Sequence, residues 1–153
     1  MKKRHLLAVT AIALAIPLGT AFSASAAPKG KTQAQVVGPV QLNGDGTATV
    51  TARYICQDEF THLWVSAKQA ESRGPDKVLQ GEGSSEQSVA WWQSHPQDFT
   101  CDGAWHTQSF VIDTTEQGFG ELEHGQAWVQ FCLTGGGFPP TLIDMSASWS
   151  AVV

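Results

Sequence analysis

The sequence predicts an all-β chain folded as a single antiparallel β-sandwich of about seven strands. Three observations lead there. Residues 46–56 (GTATVTARYIC) alternate with period two, placing Ala48, Val50, Ala52, Tyr54 and Cys56 on one face and Thr47, Thr49, Thr51 and Arg53 on the other. That is the pattern of a half-buried strand. Short stretches of the same kind recur along the chain, separated by turns rich in Gly and Pro. Beyond the N-terminal segment no stretch carries a helical period, and there is neither an internal repeat nor an interdomain linker.

The N-terminus reads as a secretory signal peptide, with basic Lys2, Lys3 and Arg4, an apolar run from Leu6 to Leu18, and small residues through Ala27. Ala24-Ser25-Ala26 places cleavage before Ala27, so residues 1–26 are the signal. The apolar run falls short of the roughly 20 residues a spanning helix needs, which makes an uncleaved anchor the weaker alternative. No cysteine follows it to carry a lipid. The mature chain is therefore expected to be secreted, monomeric and without a transmembrane segment. It keeps 127 of the 153 residues, enough for one domain with its own core. Of 9 basic and 14 acidic residues, Lys2, Lys3 and Arg4 leave with the signal, so 6 face 14, a balance of −8. Such a surface disfavours nucleic acid as a partner.

Residues 27–35 are polar and basic and read as a flexible leader, with the sandwich spanning 36–153. Val36–Leu42 (VVGPVQL) is a first strand, and Pro39, which cannot donate to a ladder, puts it at an edge. Asn43-Gly44-Asp45-Gly46 turns the chain into the strand ending at Cys56; it lacks the downstream acidic ligands of a calcium loop. Thr61–Ala67 alternates Leu63, Val65 and Ala67 against His62, Trp64 and Ser66. Residues 70–85, rich in Gly, Glu and Ser, form an exposed excursion with a short strand expected near 77–80. Strands follow at 87–93, 105–113 and 126–133, the last with Ala127, Val129, Phe131 and Leu133 on one face. Residues 114–125 and 134–140 are loops. In the final strand Met145, Ala147, Trp149, Ala151 and Val153 alternate with Ser146, Ser148 and Ser150, and the expectation is that the first set is buried and the serines are wet.

Three cysteines allow one bridge. Cys56 ends a strand on its apolar face and Cys101 lies 45 residues on, so Cys56–Cys101 is favoured as a clip between sheets, contributing about 4 kcal/mol in the chain-entropy model. Cys132 sits opposite the aliphatic face of its strand and is expected to be a buried free thiol. Cys101–Cys132 and an intermolecular bridge through Cys132 stay open.

An antibody-type domain carries a tyrosine two residues before its second cysteine. Here Phe99 precedes Cys101 and Tyr54 precedes Cys56 instead, so the likeness is one of architecture. The signal peptide, Tyr54-x-Cys56, Cys101-Asp102-Gly103-x-x-His106 and a Gly-x-Ala-x-Val strand at 125–129 resemble a group of small secreted actinobacterial proteins classed as domains of unknown function. That resemblance implies an immunoglobulin-like sandwich and no activity. Members of the group often carry a fourth, late cysteine; this chain has none after Cys132.

No catalytic set emerges. Ser94, His95, Asp102 and His106 lie near one another in sequence, but no G-x-S-x-G occurs, and Asp102 reads as a turn residue that His106 caps. His62, His95, His106 and His124 lack metal-ligand spacing, and Thr134-Gly135-Gly136-Gly137 has no Lys or helix to make a phosphate loop. No metal or cofactor is expected. Six tryptophans are the functional clue. Trp149 is expected in the core, and Trp64 and Trp128 fall opposite the aliphatic faces of their strands. The adjacent Trp91 and Trp92 must point to opposite sides, so two or three indoles are expected outside the core, with Trp64, Trp91 and Trp128 taken as those. Exposed aromatics on a sheet bind sugars, peptides or apolar ligands, so these three are the candidate contacts of a non-catalytic extracellular or cell-surface binding module. One alternative is a hydrolase of a cell-surface polymer using Asp102 and His106 with a carboxylate such as Glu59. Another is a structural envelope component whose indoles the loops at 70–85 and 114–125 cover.

Overall fold

The structure is a computed structural model that describes residues 32–81 and 83–153. The expected signal peptide, its expected cleavage site and the start of the expected leader lie outside the described residues. Among the described residues eight strands form two four-stranded sheets: β1 (Gln33–Val36), β2 (Gln41–Leu42), β3 (Ala48–Ile55), β4 (Phe60–Gln69), β5 (Ala90–Ser94), β6 (Trp105–Ile112), β7 (Gly125–Gly135) and β8 (Leu142–Val152). In the first sheet β3 is central, with β1 and β2 along one edge and β6 along the other. The second sheet runs β5-β4-β7-β8, and all named strand pairs are antiparallel. The chain is an all-β sandwich, as its alternation predicts.

β3 buries Ala48, Val50, Ala52 and Tyr54 in the predicted register. They meet Leu63, Val65 and Ala67 of β4, Trp92 of β5, Phe110 and Ile112 of β6, and Ala127, Val129, Phe131 and Leu133 of β7 in one core. The N-terminal segment differs from its reading. Gln33–Gln35, placed in the leader by their polarity, already pair with β3, because a backbone ladder asks only for N–H and C=O groups. Beyond Val36 the chain kinks at Gly38 (φ 76°) and Pro39. Val40 then pairs in parallel with Val152 of the other sheet before the chain returns as β2. The predicted edge strand is thus split between two sheets where proline interrupts the ladder.

The excursion holds two 3₁₀ turns, Lys77–Gln80 and Ser84–Gln87, rather than a short strand. The Asp76 carboxylate accepts the Val78 N–H at 3.1 Å and starts the first turn as an N-cap. The loop after β6 runs along the free edge of β5, where the Phe119 and Trp91 backbones exchange hydrogen bonds at 2.9 and 3.0 Å. A Cβ at Gly120 would stand 2.0 Å from the Val89 carbonyl oxygen, so only glycine fits that approach.

β8 carries the largest correction. Its pairing aligns Trp149 with Trp128, Ala147 with Gln130 and Met145 with Cys132, and therefore places Met145, Ala147 and Trp149 on the outer side of the second sheet. Ser146, Ser148 and Ser150 face the interior instead, opposite Phe131, Val129 and Ala127. There the serines meet backbone: the Ser146 hydroxyl accepts the Ala34 N–H at 3.2 Å, and Ser150 donates to the Gly38 carbonyl at 3.0 Å. Trp149 is consequently half-buried on the outer face and is absent from the core, while Val152 is buried and Val153 exposed.

Candidate functional site

The bridge joins Cys56 and Cys101, with Cα atoms 4.7 Å apart. It does not clip the two sheets together. Cys56 follows β3 and Cys101 precedes β6, two neighbours in one sheet, so the bridge ties the β5–β6 connection to the end of that sheet. The Gly103 N–H donates to the Cys56 carbonyl at 2.8 Å beside it. Asp102 closes this corner as a turn residue, its carboxylate accepting both the Ala104 N–H (2.9 Å) and His106 Nε2 (2.8 Å). The His106 bond first, then the Ala104 amide, hold the Asp102 carboxyl below its ordinary 3.8. A lowered folded-state value means that the pairing stabilises the fold above the unfolded pKa and loses that effect as pH falls through the folded one. Substituting His106→Ala is expected to move the Asp102 midpoint up toward 3.8 in a carboxyl NMR titration; an unmoved midpoint would refute the assignment.

The Ser/His/Asp set does not assemble. The Ser94 hydroxyl is buried without a partner among the described residues, His95 pairs with Glu116 at 2.8 Å, and His106 pairs with Asp102 on an exposed turn. His62 and His95 stack, with ring centroids 5.1 Å apart. Among the described residues no three His, Cys, Asp or Glu side chains group to hold a metal.

What the fold does assemble is the outer face of the β5-β4-β7-β8 sheet. Trp64, Trp91 and Trp128, on three different strands, all point to this side, and Trp149 joins them. One cross-strand row reads Trp91, Lys68, Trp128, Trp149. The next reads Gln93, Ser66, Gln130, Ala147; the one after it, Trp64, Cys132, Met145. His62, Thr134 and Ile143 follow at the end of the sheet. The Trp64 indole N–H donates to Gln93 Oε1, Trp91 meets Phe119 edge-on, and the Trp128 and Trp149 rings lie 5.2 Å apart. All four indoles are half-buried, while Met145 is 51% and Ile143 65% exposed. Beyond His62 and Thr134 a cleft of about 390 Å³ opens under the Phe138–Pro140 loop, with Phe138 fully exposed at its lip. Trp92 points into the core, and Trp105 lies on the other sheet under the Arg53 guanidinium, 4.6 Å from its ring centroid.

The excursion roofs one end of this face. From Val65 to Gln69 both sides of β4 are buried. Lys68 is 4% exposed, and its ammonium donates to Ser84 Oγ at 2.7 Å, while Ser84 in turn donates to the Leu79 carbonyl at 2.7 Å. Burial pushes the Lys68 ammonium below its ordinary range. Leu79 is fully buried yet is not a member of the two-sheet core. Coverage by the loops therefore buries Lys68 but leaves the indoles of Trp64, Trp91, Trp128 and Trp149 half-buried, and it does not extend to Met145 and Ile143.

Cys132 lies in the middle of the face, half-exposed rather than buried, because its strand turns that side to the outside. Desolvation, then the nearby Asp144 charge, raise its thiol above the ordinary range. Native protein is expected to lose its single free thiol to iodoacetamide at neutral pH more slowly than an unstructured cysteine peptide does. Faster loss, or a Cys56 peptide alkylated without reduction, would contradict the thiol assignment.

Trp149, Lys68, Ser66 and Gln130 are members of the face that the residue pattern does not single out. The only signal for Trp149 is its alternation with serines, which is silent about which side is in. Compared with known proteins, the chain matches no family model, no curated protein and no solved structure.

Proposed function

We propose that this is a secreted, non-catalytic binding module whose ligand lies on the outer face of the β5-β4-β7-β8 sheet. The observation that carries the reading is the convergence of Trp64, Trp91 and Trp128, from three strands, with Trp149 on one side of one sheet. Flat, half-buried indole faces on one side of a sheet suit a ligand that presents apolar C–H faces, such as a glycan chain. The cleft beside Phe138 extends the surface at the open end. The acidic balance of the mature chain argues against nucleic acid. The test is a pull-down on insoluble cell-wall polysaccharide with wild-type protein and a Trp64→Ala, Trp91→Ala, Trp128→Ala triple variant whose folding is checked by near-UV circular dichroism. Binding by the wild type and its loss in the folded variant are expected. Undiminished binding by the variant would overturn the site.

A further inference from the structure

We propose that His62 and His95 form a two-histidine chelate for a divalent metal ion of the Zn²⁺ class, with Glu116 as the positioning residue behind His95. The inference stands apart from the binding reading above, and the metal alone tests it.

The sheet brings the pair together. His62 lies on β4, and His95 directly follows β5, where Ser94 pairs with Val65. Continuing that register by one residue sets His95 beside Trp64 and diagonal to His62 on the outer face. The Trp64 indole leans the other way, toward Gln93. The two imidazoles are left next to each other, with ring centroids 5.1 Å apart and planes inclined by 30°. A Zn²⁺ ion about 2.0–2.1 Å from one nitrogen of each ring sits about 3.2 Å from each ring centre, and at tetrahedral angles the centres are then about 5.2 Å apart. The spacing of the pair is thus that of two imidazoles sharing one ion.

The chemistry of each ring agrees. His95 Nδ1 meets Glu116 Oε2 at 2.8 Å. A carboxylate only accepts, so in the neutral ring Nδ1 carries the proton and Nε2 keeps its lone pair. A carboxylate behind the far nitrogen is the common support of a metal-bound imidazole. His62 is exposed and makes no side-chain hydrogen bond among the described residues, so a turn about χ2 aims one of its nitrogens at the same point. That point is open to solvent. His62 lines the cleft beside Phe138, and His95 and Glu116 line a second cleft of about 310 Å³ with Asp98 and Ser109. The net charge of −5 draws cations to the protein. No third His, Cys, Asp or Glu groups with the pair among the described residues, so water or other oxygen donors complete the coordination and the ion is exchangeable. Imidazole selects Zn²⁺, Cu²⁺ or Ni²⁺ over Mg²⁺ and Ca²⁺.

The test is calorimetric titration of chelator-stripped protein with zinc chloride, paired with long-range ¹H–¹⁵N spectra of the imidazoles. One ion per chain is expected, with ¹⁵N shifts at His95 Nε2 and at one His62 nitrogen while His106 and His124 stay unmoved. Calcium chloride should give neither heat nor shifts. His62→Ala and His95→Ala should each weaken Zn²⁺ binding by about tenfold or more. Glu116→Gln should weaken it by about tenfold with the one-ion stoichiometry and both nitrogen shifts retained, which a merely structural role would not give. Unchanged affinity in that variant would overturn Glu116 as the positioning residue. Cys132→Ser should bind Zn²⁺ as the wild type does; a loss there would move the site to the thiol and overturn the pair. Zinc-dependent shifts missing from His62 or His95 in the wild type would overturn the chelate, whatever the fold of the variants, and so would an equal response to calcium.

Discussion

Replacing Cys56 and Cys101 together by alanine is expected to lower the unfolding free energy by about 4 kcal/mol. The bridge closes a 45-residue loop that contains β4, the excursion and β5. Freed from it, the unfolded chain gains the conformational entropy of that loop. The folded side loses little else, because the corner keeps its own bonds: the Gly103 N–H to Cys56 carbonyl, the Thr100 N–H to the Tyr54 hydroxyl at 3.2 Å, and the Asp102 turn. The mutant should therefore fold with an unchanged far-UV spectrum and unfold at lower urea with a larger m-value, since a less constrained unfolded chain exposes more surface. Urea titration followed by tryptophan fluorescence decides it. A loss under about 1 kcal/mol would mean that the unfolded chain is already restricted across the same span.

Phe131→Ala should cost a comparable amount, about 3–5 kcal/mol. Phe131 is 3% exposed at the middle of β7, and its ring meets Phe110 of the opposite sheet edge-on at 6.2 Å. Its cross-strand neighbours on the two sides are Val65 and Ser146. Ser146 is held to the Ala34 N–H, so that side of the site cannot collapse into the space a missing ring would leave. Poor relaxation is the condition under which a large-to-small change costs most. A substitution on the other side of the same strand, Thr134→Ala, should change stability by no more than about 0.5 kcal/mol. Equal effects of the two would show that the inward and outward faces of β7 are misassigned.

β3, β4 and β7 show why most of the fold is legible in the order of residues alone. Each packs one side against apolar side chains and turns the other outward, so the alternation of residue types reports the buried face directly. β7 also puts Trp128 and Cys132 on the outer side by the same reasoning, and Trp64 follows from β4. β8 shows where alternation stops being informative. Its inner side meets the backbone of Ala34 and Gly38 at the edge of the sandwich, and backbone groups are best met by serine hydroxyls. Its outer side adjoins Trp128, where Trp149 packs. Alternation identifies the strand and its period, but polarity names the wrong inside. The 3₁₀ turns of the excursion escape for a different reason: four-residue elements are too short to show a period.

By itself the sequence determined the fold class, the approximate place of most strands, the turn chemistry at Asn43–Gly46 and Asp102, the acidic balance, and the candidacy of Trp64, Trp91 and Trp128. These depend on neighbours along the chain, through the two-residue period of a strand and the backbone preferences of Gly, Pro, Asn and Asp. Only the tertiary structure decided that these indoles share one face, that Trp149 joins them, and that Lys68 lies buried between two of them with its ammonium on the Ser84 hydroxyl. Those facts depend on strand order and cross-strand register, which pair Lys68 with Trp91 on one side and Trp128 on the other. Residues 23 and 60 positions away become its nearest lateral neighbours. No period along one strand carries that information, because register is set by how the sheets close over their common core.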